Sequence, residues 1–272
     1  MRRIIDLYRQ IKDALQSAGI EEADAEARLI AAEGLQISLG ELFLKADMQT
    51  EYDPAEILRK RISGMPLAYA MNKKYFMGFP FYVDGRVLIP RQDTETVVDT
   101  ALLLIKQNGY KTVLDLCCGS GCMGIAIAKL AGVRALGSDI SPGAAEVANK
   151  NAEALQANTF RAVAGDLFEN IDGKFDMIVC NPPYITDAEY QTLEKQVREF
   201  EPEMALLGNL SFYEKIAGQA AGFMNKGGAL VFEIGSRQKN DVEAILLKNH
   251  FKNICCQKDL AGRDRALTCT IN

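Results

Sequence analysis

Before Lys74, apolar residues recur at helical spacing: Leu7, Ile11 and Leu15 fall at i, i+4 and i+8, and Ala27, Ile30, Ala31 and Leu35 repeat the stripe. Ser38-Leu39-Gly40-Glu41 has capping-box spacing, and Asp53-Pro54-Ala55-Glu56 offers an N-cap, a proline for the first turn and an early acid. Three or four short helices over residues 1–72 are expected to form a small bundle. From Lys74 the texture changes. Tyr75–Val83, Asp84-Gly85 and Val87–Ile89 are aromatic and β-branched with turn residues between them, which predicts a β-hairpin linker over 73–90. A helix opened by Pro90 to Glu95 should follow, carrying Val97, Val98, Ala101, Leu102 and Ile105. Beyond it, short apolar runs alternate with helical stretches: Val113–Leu116, helix 121–131, Ala135–Asp139, helix 143–155, Phe160–Ala164, Met177–Cys180, helix 211–224 and Ala229–Ile234. That alternation predicts an α/β domain over 91–272, a parallel sheet covered on both faces. Asn253–Lys258 and Ala266–Thr270 are joined by too few residues for a parallel crossover, so they should pair antiparallel at one edge.

Composition narrows the classes. Of 272 residues, 48% are hydrophobic and 25% charged, the balance of a globular protein with room for one large and one small domain. No apolar run approaches the ~18 residues of a membrane span, and charges interrupt Met1–Arg9 before a signal-peptide core could form, so a cytoplasmic protein with no membrane partner is expected. Seven Cys without a C-x-x-C, and a single His at position 250, argue against a disulfide scaffold, a His/Cys zinc site or a Ser-His-Asp hydrolase, and no metal is expected. Cys180, Cys255, Cys256 and Cys269, in or beside apolar strands, are expected to fill small buried spaces. The net charge of −5 gives no global reason to bind nucleic acid, and Arg59-Lys60-Arg61 reads as a solvated helix face.

Thr112 to Gly124 reads as strand, small-residue turn and helix. Gly119, Gly121 and Gly124 satisfy G-x-G-x-x-G, and Asp139 ends the next expected strand, 18 residues after Gly121. Glycines let backbone approach a nucleotide-like ligand, and a carboxylate one strand over can accept from ribose hydroxyls. A turn that only packs a helix on a sheet would show the same glycines; strand, turn, helix and acid in register favour the ligand. The motif alone leaves a nicotinamide dehydrogenase and an S-adenosyl-L-methionine methyltransferase open. Asp115, before the glycines, tilts toward the second, since an acid suits a cationic amine and repels a pyrophosphate. Asp166-Leu167, ending the third strand, should share the rim, the acid toward an adenine amine and the leucine against the ring, although Asp166 could equally serve as an N-cap.

The run Phe175–Cys180 ends abruptly in Asn181-Pro182-Pro183-Tyr184. Two prolines remove two amide donors and stiffen the backbone, so that the Asn181 side chain and the Pro182 carbonyl can be aimed outward. Such a pair is a socket for an NH2 group. Both hydrogens of an amide or exocyclic amine would rest on oxygen acceptors, freeing the nitrogen lone pair, with the Tyr184 ring face beside the charge that develops. An ordinary turn after a strand is the competing reading; its place at the tip of a parallel strand, 60 residues past Gly121, favours catalysis. The socket by itself does not distinguish a protein amide from adenine N6 or guanine N2 of a nucleic acid; the acidic composition disfavours the nucleic acid.

Here the sequence resembles the HemK/PrmC family of protein-(glutamine-N5) methyltransferases. The resemblance includes Gly64–Tyr69, Val87–Glu95, the glycine turn, Asn181–Ile185, Glu201–Leu206, Phe232–Gly235 with Gln238, and Lys258–Arg265. It implies a seven-stranded Rossmann-like methyltransferase domain with an N-terminal helical domain that helps dock the substrate. That substrate would be the Gly-Gly-Gln glutamine of class I peptide chain release factors. It further implies that Cys117, Cys118, Gly119, Ser120 and Gly121 wrap S-adenosyl-L-methionine, that Asp139 holds its ribose and Leu167 lies against its adenine, and that Asn181, Pro182, Pro183 and Tyr184 receive the glutamine. The chain departs from the family where Cys117-Cys118 replace Gly-Thr, where Gln92 replaces a proline, and at Gly208–Ser211. These are loops around the site, so chemistry is expected to persist with altered binding. A catalytically weakened protein that still docks on release factors is the rival of another class, and a monomer is the default state.

Overall fold

In the computed structural model, which describes residues 1–271, the chain divides into two units, Met1–Asn72 and Lys73–Asn272. The first contains β1 (Arg2–Arg3), α1 (Ile4–Ser17), α2 (Ala23–Leu35), α3 (Leu39–Leu44), β2 (Gln49–Thr50), α4 (Ala55–Ile62) and α5 (Leu67–Ala70). The stripes foreseen in α1 and α2 make its core: Leu7, Ile11 and Leu15 pack with Ala27, Ile30, Ala31 and Leu42. Ser38 and Glu41 cap α3 reciprocally. Arg61 is not a solvated charge, since its guanidinium grips Glu26 through two bonds of 2.8 and 3.0 Å.

The second unit runs β3 (Lys74–Phe76), β4 (Phe79–Phe81), α6 (Glu95–Asn108), β5 (Thr112–Leu116), α7 (Cys122–Ala131), β6 (Arg134–Asp139), α8 (Pro142–Ala154), β7 (Phe160–Ala164) and β8 (Phe175–Cys180). It continues through α9 (Asp187–Tyr190), α10 (Lys195–Phe200), α11 (Leu210–Ala220), β9 (Met224–Glu233), α12 (Lys239–Lys248), β10 (Lys252–Lys258) and β11 (Asp264–Thr270). Seven strands form one sheet in the order β10-β11-β9-β8-β5-β6-β7. Strands β5 to β9 are mutually parallel, while β11 is antiparallel to both β9 and β10. Alternation along β5 feeds two cores: Val113 joins Val97, Ile125 and Ala148 on one face, and Leu114 joins Ile178, Tyr213 and Leu246 on the other.

Three departures from the sequence expectation have local causes. The hairpin turns at Met77-Gly78, not at Asp84-Gly85: both residues have positive φ (50° and 78°), the handedness that matches strand twist, and Glu95 accepts the Met77 N–H at 2.6 Å. Val87 and Ile89 are buried without forming a strand. Helix α11 stops at Ala220 and gives way to a 3-10 turn over Ala221–Phe223, and β9 begins at Met224, ahead of its apolar run, passing through Gly227 at φ +76° where its pairing with β8 is irregular. Cys255 is exposed and Cys256 half-buried, since β10 is the outer strand of the sheet, whereas Cys180 and Cys269 are buried as expected. Among the described residues no helix is long and apolar enough to cross a membrane.

Gly124, on α7, fits where no side chain can: a Cβ there would stand 2.6 Å from the Phe160 ring and 2.9 Å from Asp115 Oδ2. Gly124→Ala should therefore destabilise the protein by about 1–3 kcal/mol despite alanine's better helix propensity. The check is a lower urea midpoint at unchanged m-value.

Candidate active site

Parallel strands deliver their carboxyl ends to one rim, and β5, β6 and β8 open there side by side. The chain leaves β5 through Cys117 (φ +55°) and Gly119 (φ +52°) to Gly121 (φ +76°), which precedes α7. The turn is tied down by Cys118 N–H to the Ser138 carbonyl at 3.1 Å and Gly121 N–H to the Cys118 carbonyl at 2.7 Å. Asp139 receives Gly119 N–H on Oδ2 at 2.8 Å and Ser141 N–H on Oδ1 at 2.9 Å. Burial pushes its carboxyl above the ordinary aspartate value against these two amides. Ser138 Oγ donates to the Leu167 carbonyl at 2.9 Å, holding a leucine whose φ is +51° over the same rim.

These residues surround a cavity of about 280 Å³. Its wall contains Cys117, Cys118, Gly119, Ser120, Asp139, Asp166, Leu167, Asn181 and Pro183 among the residues singled out in the sequence. A smaller cavity, about 160 Å³, is walled by Pro182, Tyr184, Arg91 and Glu233, and Asn181 lines both. Among the described residues neither the Asn181 carboxamide nor the Pro182 carbonyl engages in a hydrogen bond. Two oxygens on a stiff segment are thus left for something else to satisfy.

Gly121 and Asp115 lie outside both walls. Gly121 starts a helix behind the turn. Asp115 is fully buried, its Oδ2 accepting Gly124 N–H at 2.8 Å and its Oδ1 without a partner. An interior strand residue projects to a sheet face and not past the strand's end, which is why this acid does not stand in the opening. Burial, opposed by the Gly124 amide and reinforced by Asp139, pushes its carboxyl up to about 7.

Sequence motifs missed the other walls. Arg86, Val87 and Leu88, and on the far side Met204, Ala205 and Phe212, complete the large cavity. Val87, Leu88, Met204 and Ala205 fall in the stretches of family likeness at 87–95 and 201–206, whereas Arg86 and Phe212 carried no motif. Glu201 joins the two sides: it is 5% exposed and accepts Ile89 N–H at 3.1 Å and Arg91 Nη2 at 2.5 Å. Pro183 is backed by Gly208, whose hypothetical Cβ would lie 1.9 Å from the Pro183 carbonyl oxygen, and Gly208 N–H donates to Ile185 at 2.9 Å.

Two family models match the chain: the PrmC N-terminal domain over residues 6–71 and the methyltransferase small domain over 95–260. A release factor glutamine methyltransferase from Clostridium acetobutylicum is 40% identical over 220 residues, covering 78% of this chain and 77% of its own. One from Clostridium botulinum is 36% identical over 278 residues, covering 96% and 97%. Among solved structures, the T. thermophilus 16S rRNA N2 G1207 methyltransferase in complex with AdoMet and guanosine superposes with a TM-score of 0.54 at 16% identity, covering 74% of this chain and 50% of that one. That likeness is one of fold alone.

Gly208→Ala should push the Pro183 carbonyl out of place and lower turnover about 100-fold with far less effect on thermal stability, measured as kcat beside the melting temperature. The buried Asp115 gives a pH signature. Its folded value lies above the ordinary 3.8, so its contribution to stability is complete below that pH and is lost as pH rises through about 7. Urea unfolding of Asp115→Asn should lose less stability than wild type between about pH 5 and pH 8; parallel curves would contradict this.

Proposed function

The chain belongs to the release factor glutamine methyltransferase family, and on that premise we propose that it methylates N5 of the Gly-Gly-Gln glutamine in class I peptide chain release factors, using S-adenosyl-L-methionine. The observation that carries this reading is the placement of Asn181: an unbonded carboxamide shared by two cavities, one sized for a cofactor and one for a side chain.

The large cavity suits S-adenosyl-L-methionine. Asp139 keeps lone pairs beyond the two amides it already accepts, which fits it to ribose hydroxyls. Gly119 has no atom within 4 Å of where a Cβ would stand, so the turn leaves an open cradle of the kind a nucleoside needs. Leu167 supplies an apolar face for adenine, and exposed Asp166 an acceptor beside its amine. Cys117, Cys118 and Ser120 line the turn. When bound, the cofactor supplies an electrophilic methyl group on a sulfonium.

The protein's part is to make a poor nucleophile available. An amide nitrogen delocalises its lone pair into the carbonyl; Asn181 Oδ1 and the Pro182 carbonyl accept its two hydrogens and hold it against rotation. Pro183 keeps that backbone rigid. The Tyr184 ring in the wall of the small cavity favours the positive charge that grows on nitrogen. The nitrogen becomes acidic once methylated and releases its proton to solvent, so no general base is needed. The protein partner is the release factor, met by a cytoplasmic monomer; a chain of net charge −5 is poorly suited to a phosphate backbone.

Labelled S-adenosyl-L-methionine offered with a release factor and, separately, with genomic DNA should label the factor's glutamine; label on DNA alone would overturn the substrate. Asn181→Ala should lower kcat by about 10²- to 10³-fold while cofactor affinity changes less than about tenfold. Full activity in that variant would remove the role given to Asn181.

A further inference from the structure

Three stretches that resemble the family have so far had no part in the chemistry: Arg91–Glu95, Phe232–Gly235 with Gln238, and Lys258–Arg265. They meet at Tyr184. The Tyr184 hydroxyl donates to Glu233 Oε1 at 3.2 Å and accepts from Arg265 Nη1 at 3.4 Å. Arg265 is in turn fixed by the Ile234 carbonyl at 3.0 Å, Asp93 Oδ2 at 3.1 Å and Asp259 Oδ2 at 3.3 Å. Gln238 Nε2 donates to the Tyr184 carbonyl at 3.1 Å, and its Oε1 accepts Gly235 N–H at 3.0 Å. Glu233 and Arg265 are 2% and 5% exposed; Glu233 lines the small cavity, and its buried Oε2 has no partner.

We propose that Glu233 is a positioning residue for methyl transfer: with Arg265 it holds the Tyr184 hydroxyl, and so fixes the aromatic ring in the wall of the cavity that receives the carboxamide. The proposal rests on the function given above. Burying a carboxyl and a guanidinium together is a costly way to stabilise a fold, and an apolar pair of the same volume does as well or better. What the charged pair adds is direction, since a hydroxyl between an acceptor and a five-donor fork has one orientation. Burial, and then the Glu233 carboxyl, push the Tyr184 phenol upward, so the hydroxyl keeps the proton it donates.

The test is a double-mutant cycle on kcat and KM for a release factor, using Glu233→Ala, Glu233→Gln, Tyr184→Phe and Glu233→Ala with Tyr184→Phe. Glu233→Ala should lower kcat about 10- to 100-fold with KM within about threefold, and Glu233→Gln, whose amide oxygen still accepts the hydroxyl, should recover most of it. In the Tyr184→Phe background, removing Glu233 should cost less than about twofold more. The same loss with and without the hydroxyl, or a loss confined to KM, overturns the proposal. Fluorotyrosine-labelled protein supplies a readout independent of turnover. The Tyr184 resonance, assigned by its absence in Tyr184→Phe, should shift in Glu233→Ala and not in Glu233→Gln. An unmoved resonance defeats the clamp; a shifted one in a protein that fails to methylate the release factor supports the clamp and defeats the functional reading instead.

Discussion

A strand that ends in Asn-Pro-Pro cannot satisfy its own oxygens. Neither Pro182 nor Pro183 has an amide to offer, and the Asn181 carboxamide and Pro182 carbonyl find no donor among the described residues. Elsewhere such groups would be paired; here the surrounding structure keeps them free. Gly208 lies flat against the Pro183 carbonyl, the Ile185–Leu207 bridge pins the chain beyond, and Gln238 takes the Tyr184 carbonyl. The loop is held by backbone on one side and by Gln238, just before α12, on the other, so the segment carrying the two unpaired oxygens stays fixed beside the two cavities.

The turn after β5 shows how the fold accommodates two adjacent cysteines. Cys117 occupies a left-handed conformation that glycine adopts without penalty, at a cost of about 1–2 kcal/mol. Cys118 adds bulk next to β6, and the accommodating residue there is Gly137: a Cβ at that position would stand 2.9 Å from the Cys118 sulfur. The extra volume of the turn is thus offset by a glycine one strand away, and Gly119 and Gly121 keep their positive φ.

The element order, the parallel sheet and its antiparallel edge were legible in the sequence because buried strands and amphipathic helices have distinct periods. That Asp139, Leu167 and Asn181 lie on the rim was legible too, since Asp139 ends β6 and the other two stand in the loops just past β7 and β8. Three features were not. The hairpin turn hid in Met77-Gly78 because a methionine at positive φ carries no turn signal. Asp115 was placed by its position in the motif, whereas its orientation follows strand alternation into the interior. The second cavity depends on Arg91, Glu233 and residues between Ile185 and Leu206, gathered from distant segments by tertiary folding alone. Glu233 was visible only as part of a resemblance, and its bond with the Tyr184 hydroxyl arises from tertiary folding.

The most direct test of the account is a crystal structure of the protein with S-adenosylhomocysteine and a Gly-Gly-Gln peptide. The account predicts the glutamine side chain in the small cavity, its nitrogen within hydrogen-bond distance of both Asn181 Oδ1 and the Pro182 carbonyl, facing the cofactor sulfur. A glutamine bound with that nitrogen turned away from either oxygen, or held at another surface, would contradict it.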